Sequence, residues 1–394
     1  MNYDAVVVGL GAMGSAAVYQ LAKSGARVLG VDRYSPPHGL GSTHGDTRIT
    51  RLAIGEGPEY VPLVTRSHEI WREIERGAGY PLLHQCGGLI MAAQTGQGMH
   101  GNDDFLQQTI AAAQRFDIPH ETLTPEQISK RYPQFELVGS EVAYAEAAAG
   151  FLRPERCVEA QLQLAREHGA VIRFGEQVLS YRDDGEAVTV STGKETVTAG
   201  KIVIAAGPWI SQLLPALGAN FTVYRQVMYW FDLKDKSQHD AYARLPVYIW
   251  GFGRDRDDLV YGFPMIDGPD GGAKVAREEY HLATTPDDAI GEVTQDEIDV
   301  MYEHYVRDRL PGLSRTCVKA TSCLYTVTPN SRFVIDFHPT ERNVIVASPC
   351  SGHGFKHSAA IGEVLSQLVA SGKSEIDVSS FSCPPLDPTA LSGT

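Results

Sequence analysis

The chain has 394 residues, 43% of them hydrophobic and 21% charged, enough for one large α/β domain with an insert or for two or three domains. A formal charge of −14 argues against nucleic acid or an anionic membrane as the main partner, because phosphate binding needs a basic footprint. The six cysteines (Cys86, Cys157, Cys317, Cys323, Cys350, Cys383) follow no disulfide-framework or zinc-ligand spacing, which points to a reducing compartment and no metal.

The N-terminus "MNYDAVVVGLGAMG" has no basic n-region or cleavage site, and no window of about 18 uncharged apolar residues occurs, so a cytoplasmic protein is expected. Its first 30 or so residues read as strand, Gly-rich turn, helix and strand, the length of a βαβ unit. Helical patterns follow at "EYVPLVTRSHEIWREIERG", "NDDFLQQTIAAAQRFD" and "RPERCVEAQLQLAREHG", the last feeding a strand. "EAVTVSTGKETVTAGKIVIAAGPWI" reads as a hairpin ending in an apolar strand and a second glycine turn at Gly207. From about Asn220 to Thr321, aromatics, short strands and charged turns such as "GRDRDD" suggest an antiparallel sheet. The chain then returns to strand, Gly-rich loop and helix at "NVIVASPCSGHGFKHSAAIGEVLSQLVASG", with Ile361, Val364, Leu365 and Leu368 at helical spacing. The expected fold is α/β (α+β overall): a Rossmann-type nucleotide-binding domain plus a substrate domain on a mostly antiparallel sheet. Residues 1–82, 148–219 and 323–394 are assigned to the first and 83–147 and 220–322 to the second.

Gly9, Gly11 and Gly14 form G-x-G-x-x-G between strand and helix. Gly9 permits the turn, Gly11 lets backbone approach a pyrophosphate and Gly14 allows close helix–strand packing. Asp32, at the end of the second strand, suits ribose hydroxyls. The bend "SPPHGLGSTHGDTR" adds Ser42 to the cofactor-binding candidates, and the late Gly-rich loop adds Gly352 and Gly354. A chain that returns to such a loop suits a long cofactor threading several segments, FAD rather than NAD.

Arg48 and Arg51, three residues apart, fall on one side if this stretch is helical, offering either a solvated basic face or a fork for a carboxylate. Lys356 sits before a helix whose N-terminus adds positive charge. Cys323 lies in "TSCLYTVTP", which reads as a strand, and on this reading alone it is packing, disulfide partner, metal ligand or reactive thiol.

"GSTHGDTRITRLAIGEG", "CLYTVTP" and "SGHGFKHSAAIGEVLSQL", together with "YVPLV", "YGFP" and "FVID", resemble the monomeric sarcosine oxidase and N-methyltryptophan oxidase family over nearly the whole chain. The resemblance implies covalent FAD, attached through its 8α-methyl to Cys323. It assigns Arg51 and Lys356 to the substrate carboxylate, and His44 and Arg48 to the vicinity of the flavin. Lys274 would promote reaction with oxygen, and Tyr261 and Tyr325 would line the pocket. Glu278, His357, Asn330 and Ser331 depart from the family pattern, and Arg277, Glu278 and His357 would give the pocket a different polarity. The expected activity is oxidation of a secondary (N-methyl) amino acid to an imine, with O2 reduced to hydrogen peroxide. Rival readings are a cyclic imino acid oxidase, a primary amino acid oxidase, an NAD-linked dehydrogenase and a non-enzymatic flavin-binding subunit. The partners expected are a small amino acid and O2, with no nucleic acid or membrane, for a monomer.

Overall fold

The structure is a computed structural model that describes residues 2–93, 104–253, 258–288 and 291–386. The first two residues of the helical pattern at 102, most of the "GRDRDD" turn and the end of the chain lie outside the described residues.

The strand Tyr3–Val8 pairs in parallel with Val28–Val31 on one side and Thr196–Ile204 on the other. Val171–Arg173 and Val344–Ala347 extend this parallel core. Antiparallel strands Val178–Asp183, Val188–Thr192 and Ile335–Phe337 complete an eight-stranded sheet. The central strands are buried on both faces, which explains runs such as "AVVV" and "VIVA". The helices Pro154–Glu167 and Ser358–Ser371 both pack against Ala12–Lys23, which lies against this sheet. Ile361, Val364, Leu365 and Leu368 of the last helix all point into that core.

A nine-stranded sheet forms the second layer, antiparallel except where Val247–Gly251 runs parallel to Gly88–Ala93. Its longest pairing joins Thr222–Leu233 to Leu313–Val327, and Gln226 lies opposite Cys323. The boundary expected at residue 323 falls inside this last strand. Arg48–Thr50, Leu83–His84 and Gly150–Leu152 form a separate three-stranded sheet. Arg48 and Arg51 therefore do not share a helix face. Arg48–Thr50 is a strand held by its antiparallel partner, which suits the β-branched "RIT", and Arg51 follows its end.

Candidate active site

Where the parallel strands end, a cavity of about 240 Å³ runs along the first sheet. Gly9, at φ +85°, makes the turn, and a Cβ there would lie 2.6 Å from the carbonyl oxygen of Ala205. A Cβ on Gly14 would fall onto the Gly9 carbonyl oxygen, so the helix Ala12–Lys23 can approach the strand only with glycine at this position. Gly11 is different: its Cβ position opens to the cavity and meets only Thr43 Oγ1 at 3.5 Å. The N-cap residue Gly11 has no side chain to cap the first turn of that helix; Ala12 N–H donates to Thr43 Oγ1 at 3.3 Å, and the helix end directs positive dipole at the cavity. Asp32 takes N–H groups from Leu10 at 2.7 Å and Tyr34 at 2.8 Å, fixing its carboxylate at the cavity wall, and burial raises its pKa. Ser42, Arg48, Gly207, Tyr325, Gly352 and Gly354 line the same cavity. The hydroxyls of Ser42 and Ser348 are buried there with no hydrogen-bond partner among the described residues. An open glycine backbone, a helix N-terminus at the wall, a placed carboxylate and two orphaned hydroxyls fit a dinucleotide.

A second cavity of about 70 Å³ adjoins the first, and Arg48, Tyr325, Gly352 and Phe355 belong to both walls. Its lining includes Arg51, Lys356, Glu56, Glu278 and Tyr261, with Ile249 and Phe263 as apolar walls. Arg51 donates from Nη2 to Glu56 at 2.7 Å, while its Nε and Nη1 find no acceptor among the described residues. Lys356 Nζ lies 3.4 Å from the other Glu56 oxygen and donates to the His353 carbonyl at 2.8 Å. Burial pulls the Lys356 pKa down to about 8, against the opposing pull of Glu56. Backbone N–H groups of Leu52 and Ala53 donate to the buried Glu146, which holds the segment after Arg51 in place.

The remaining candidates stand around the junction of the cavities. Arg48 donates to the carbonyls of Thr47 and Ser42, both at 2.9 Å. His44 is buried, and desolvation together with the Arg48 charge brings its pKa to about 4, so it is neutral at pH 7. Lys274 is buried and donates to Gly45 O at 2.7 Å, Thr47 O at 2.9 Å and Thr47 Oγ1 at 3.2 Å, one acceptor for each proton of an ammonium. Burial, followed by the Arg48 charge, pulls its pKa well down. Cys323 is 2% exposed and packs with Met228, Trp230, Ala276, Tyr261 and Tyr325. Burial raises its thiol pKa, while Arg48 and Lys274 act in the opposite direction. Among the described residues His44, Lys274 and Cys323 form part of neither cavity wall, whereas Cys350 does line the larger one.

Residues 4–368 match the protein family described as FAD dependent oxidoreductase. The chain belongs to that family. Among relatives, a monomeric sarcosine oxidase from Streptomyces avermitilis is 40% identical over 373 residues, covering 94% of each chain. An N-methyl-L-tryptophan oxidase from Yersinia pestis is 34% identical over 384 residues, covering 97% of this chain and 99% of that one. The fold is shared with NikD, an amino acid oxidase of nikkomycin biosynthesis, at a TM-score of 0.81, with 24% identity and 97% of each chain covered.

The larger cavity, with Gly9, Gly11 and Asp32 in its wall, is the one whose lining fits the cofactor of an FAD dependent oxidoreductase. Glu56 is the site residue that the sequence reading missed. Its one available signal was an acid between glycines in "AIGEG", five residues after Arg51.

Proposed function

We propose that this FAD dependent oxidoreductase is an oxidase of secondary, N-methyl amino acids that releases hydrogen peroxide. The observation that carries the reading is the cation pair Arg51 and Lys356 in a cavity that shares four wall residues with the cofactor site. The named activities of the curated relatives support the same substrate class. Bound FAD supplies acceptance of a hydride from the carbon next to nitrogen, and its reoxidation by O2.

The chain's own residues do the rest. Arg51 binds the substrate carboxylate through the N–H groups that lack acceptors, and Lys356 supports it as a charge. This places the carbon–nitrogen bond toward Arg48, Tyr325 and Gly352. Tyr261 and Tyr325 remain neutral phenols, because burial pushes both pKa values up. Phe355, Ile249 and Phe263 exclude water from the remaining wall. The imine product is hydrolysed by water, giving formaldehyde and the parent amino acid from an N-methyl substrate. Gly9, Gly11, Gly14, Asp32, Ser42, Gly207, Gly352 and Gly354 form the cofactor cradle, with Arg48 and His44 beside the ring. Cys323 is the covalent tether to the 8α-methyl. Lys274 is the cation that favours one-electron transfer to O2, since a fixed positive charge stabilises superoxide. The protein acts as a cytoplasmic monomer on a small amino acid and O2.

Acid precipitation tests the tether: wild type should give a yellow pellet and Cys323→Ser a colourless one with free flavin in solution. A colourless wild-type pellet refutes the link. Peroxide release across sarcosine, other N-methyl amino acids, proline, pipecolate and D-amino acids tests the substrate class. Turnover that depends on added NAD, or peroxide from primary amino acids alone, refutes it.

A further inference from the structure

The smaller cavity holds two carboxylates, and the carboxylate clamp accounts for only one of them. Glu56 lies between Arg51 and Lys356. Glu278, 4% exposed, stands elsewhere on the same wall. It follows the strand Ala273–Ala276, where side chains alternate in direction. Arg277 bonds Tyr305 Oη at 2.8 Å and pairs with Glu279. The turn itself is held by Gln226, which accepts the N–H of Glu279 at 2.8 Å and donates to its carbonyl at 2.5 Å. Tyr280 Oη donates to Glu278 Oε2 at 2.9 Å, which orients the group.

Oε1 of Glu278 would lie 3.2 Å from a Cβ built on Gly352, and Glu278 is felt as a charge by Tyr261, Tyr325 and Lys356. Gly352 and Tyr325 are two of the four residues shared by both cavities. Glu278 therefore faces the junction, where the reacting carbon–nitrogen bond has to sit. Arg51, Lys356 and Glu56 together carry one net positive charge, which a substrate carboxylate neutralises. Glu278 adds one negative charge nearer the cofactor cavity. Arg48 adds a positive charge at the same junction, so an ammonium placed there is accommodated by pairing with Glu278.

We propose that Glu278 is a specificity-determining residue that pairs with the substrate's amine in its cationic form and takes the ammonium proton before the hydride leaves, so that the pocket selects zwitterionic amino acids over carboxylic acids of the same shape. This rests on the proposed amino acid oxidase function and on its carboxylate clamp. Calorimetric titration of the holoenzyme with two isosteric acids tests it. Trimethylglycine carries a fixed cation with no nitrogen lone pair, and tert-butylacetate has the same shape with no such charge. Wild type should bind trimethylglycine about tenfold or more tightly than tert-butylacetate, as expected for a desolvated charge pair, and Glu278→Gln should bring the ratio close to one. Equal affinities in wild type overturn the assignment while leaving the clamp intact. A preference that survives in Glu278→Gln also overturns it, and assigns the cation to the Tyr261 and Tyr325 rings. If neither acid binds wild type, the clamp fails and the proposal fails with it. The wild-type ratio needs no variant, so a misfolded Glu278→Gln protein would not shield the idea.

Discussion

Replacing Glu56 with glutamine should weaken the ligand-free protein and tighten its carboxylate ligands. One carboxylate serves both cations of the clamp, at 2.7 Å from Arg51 and 3.4 Å from Lys356, and the Arg51 and Glu56 side chains are only 4% and 5% exposed. Removing one partner of such a buried pair costs roughly 3–5 kcal/mol, because the other charge is left uncompensated. At about 2.1 cal/mol/K per residue, the unfolding entropy of a chain this long is about 0.8 kcal/mol/K, so Tm should fall by about 4–6 °C. A bound carboxylate returns the missing anion. The Tm rise on adding tert-butylacetate should therefore be larger in Glu56→Gln than in wild type, with Kd lower by about tenfold if about 1.4 kcal/mol of the lost pairing is recovered. Differential scanning fluorimetry and calorimetric titration read the two effects. A variant that loses stability and also binds carboxylates more weakly would refute the reasoning, and would mean that Glu56 aims Arg51 rather than competing for it.

Other outcomes follow from the same geometry. Burial brings the Lys356 pKa to about 8, so its ammonium is present below that pH and is lost above it. Carboxylate affinity should fall as pH rises through this range, and Lys356→Arg should remove the decline; a profile unchanged in the arginine variant would assign it elsewhere. Gly14→Ala should yield little flavin-loaded protein, since the new methyl falls onto the Gly9 carbonyl oxygen and drives the helix away from the strand. Normal flavin content in that variant would contradict the packing argument. Lys274→Met should slow reoxidation by O2 far more than flavin reduction in rapid-mixing experiments, and equal losses in both steps would refute its role.

The nucleotide half was legible because its signals are local. A glycine triplet between strand and helix names its own backbone geometry, and the period of Ile361, Val364, Leu365 and Leu368 marks the buried face of the last helix. Arg48 and Arg51 were legible as residues and not as an arrangement. Their spacing leaves helix and strand open; pairing with Gly150–Leu152 makes the segment a strand, and that partner is about 100 residues away. Glu56 was missed for a similar reason. Its meaning depends on Arg51, five residues earlier, and Lys356, 300 residues later, meeting at one carboxylate. Glu278 stood out in the sequence as a departure from a family pattern; its place beside Gly352 at the junction of two cavities exists only in the fold. Cys323 is intermediate. Its strand was readable, its partner Gln226 was not, and nothing in "SCLYT" separates packing from chemistry.

The most direct test of the central claim is anaerobic mixing of the purified yellow protein with sarcosine and other N-methyl amino acids, followed by admission of air. The account predicts that at least one of them bleaches the flavin without oxygen, and that air restores the colour with equimolar hydrogen peroxide and formaldehyde. Flavin that stays oxidised with every secondary amino acid tried, or that is bleached only by NADH or by primary amines, would contradict it.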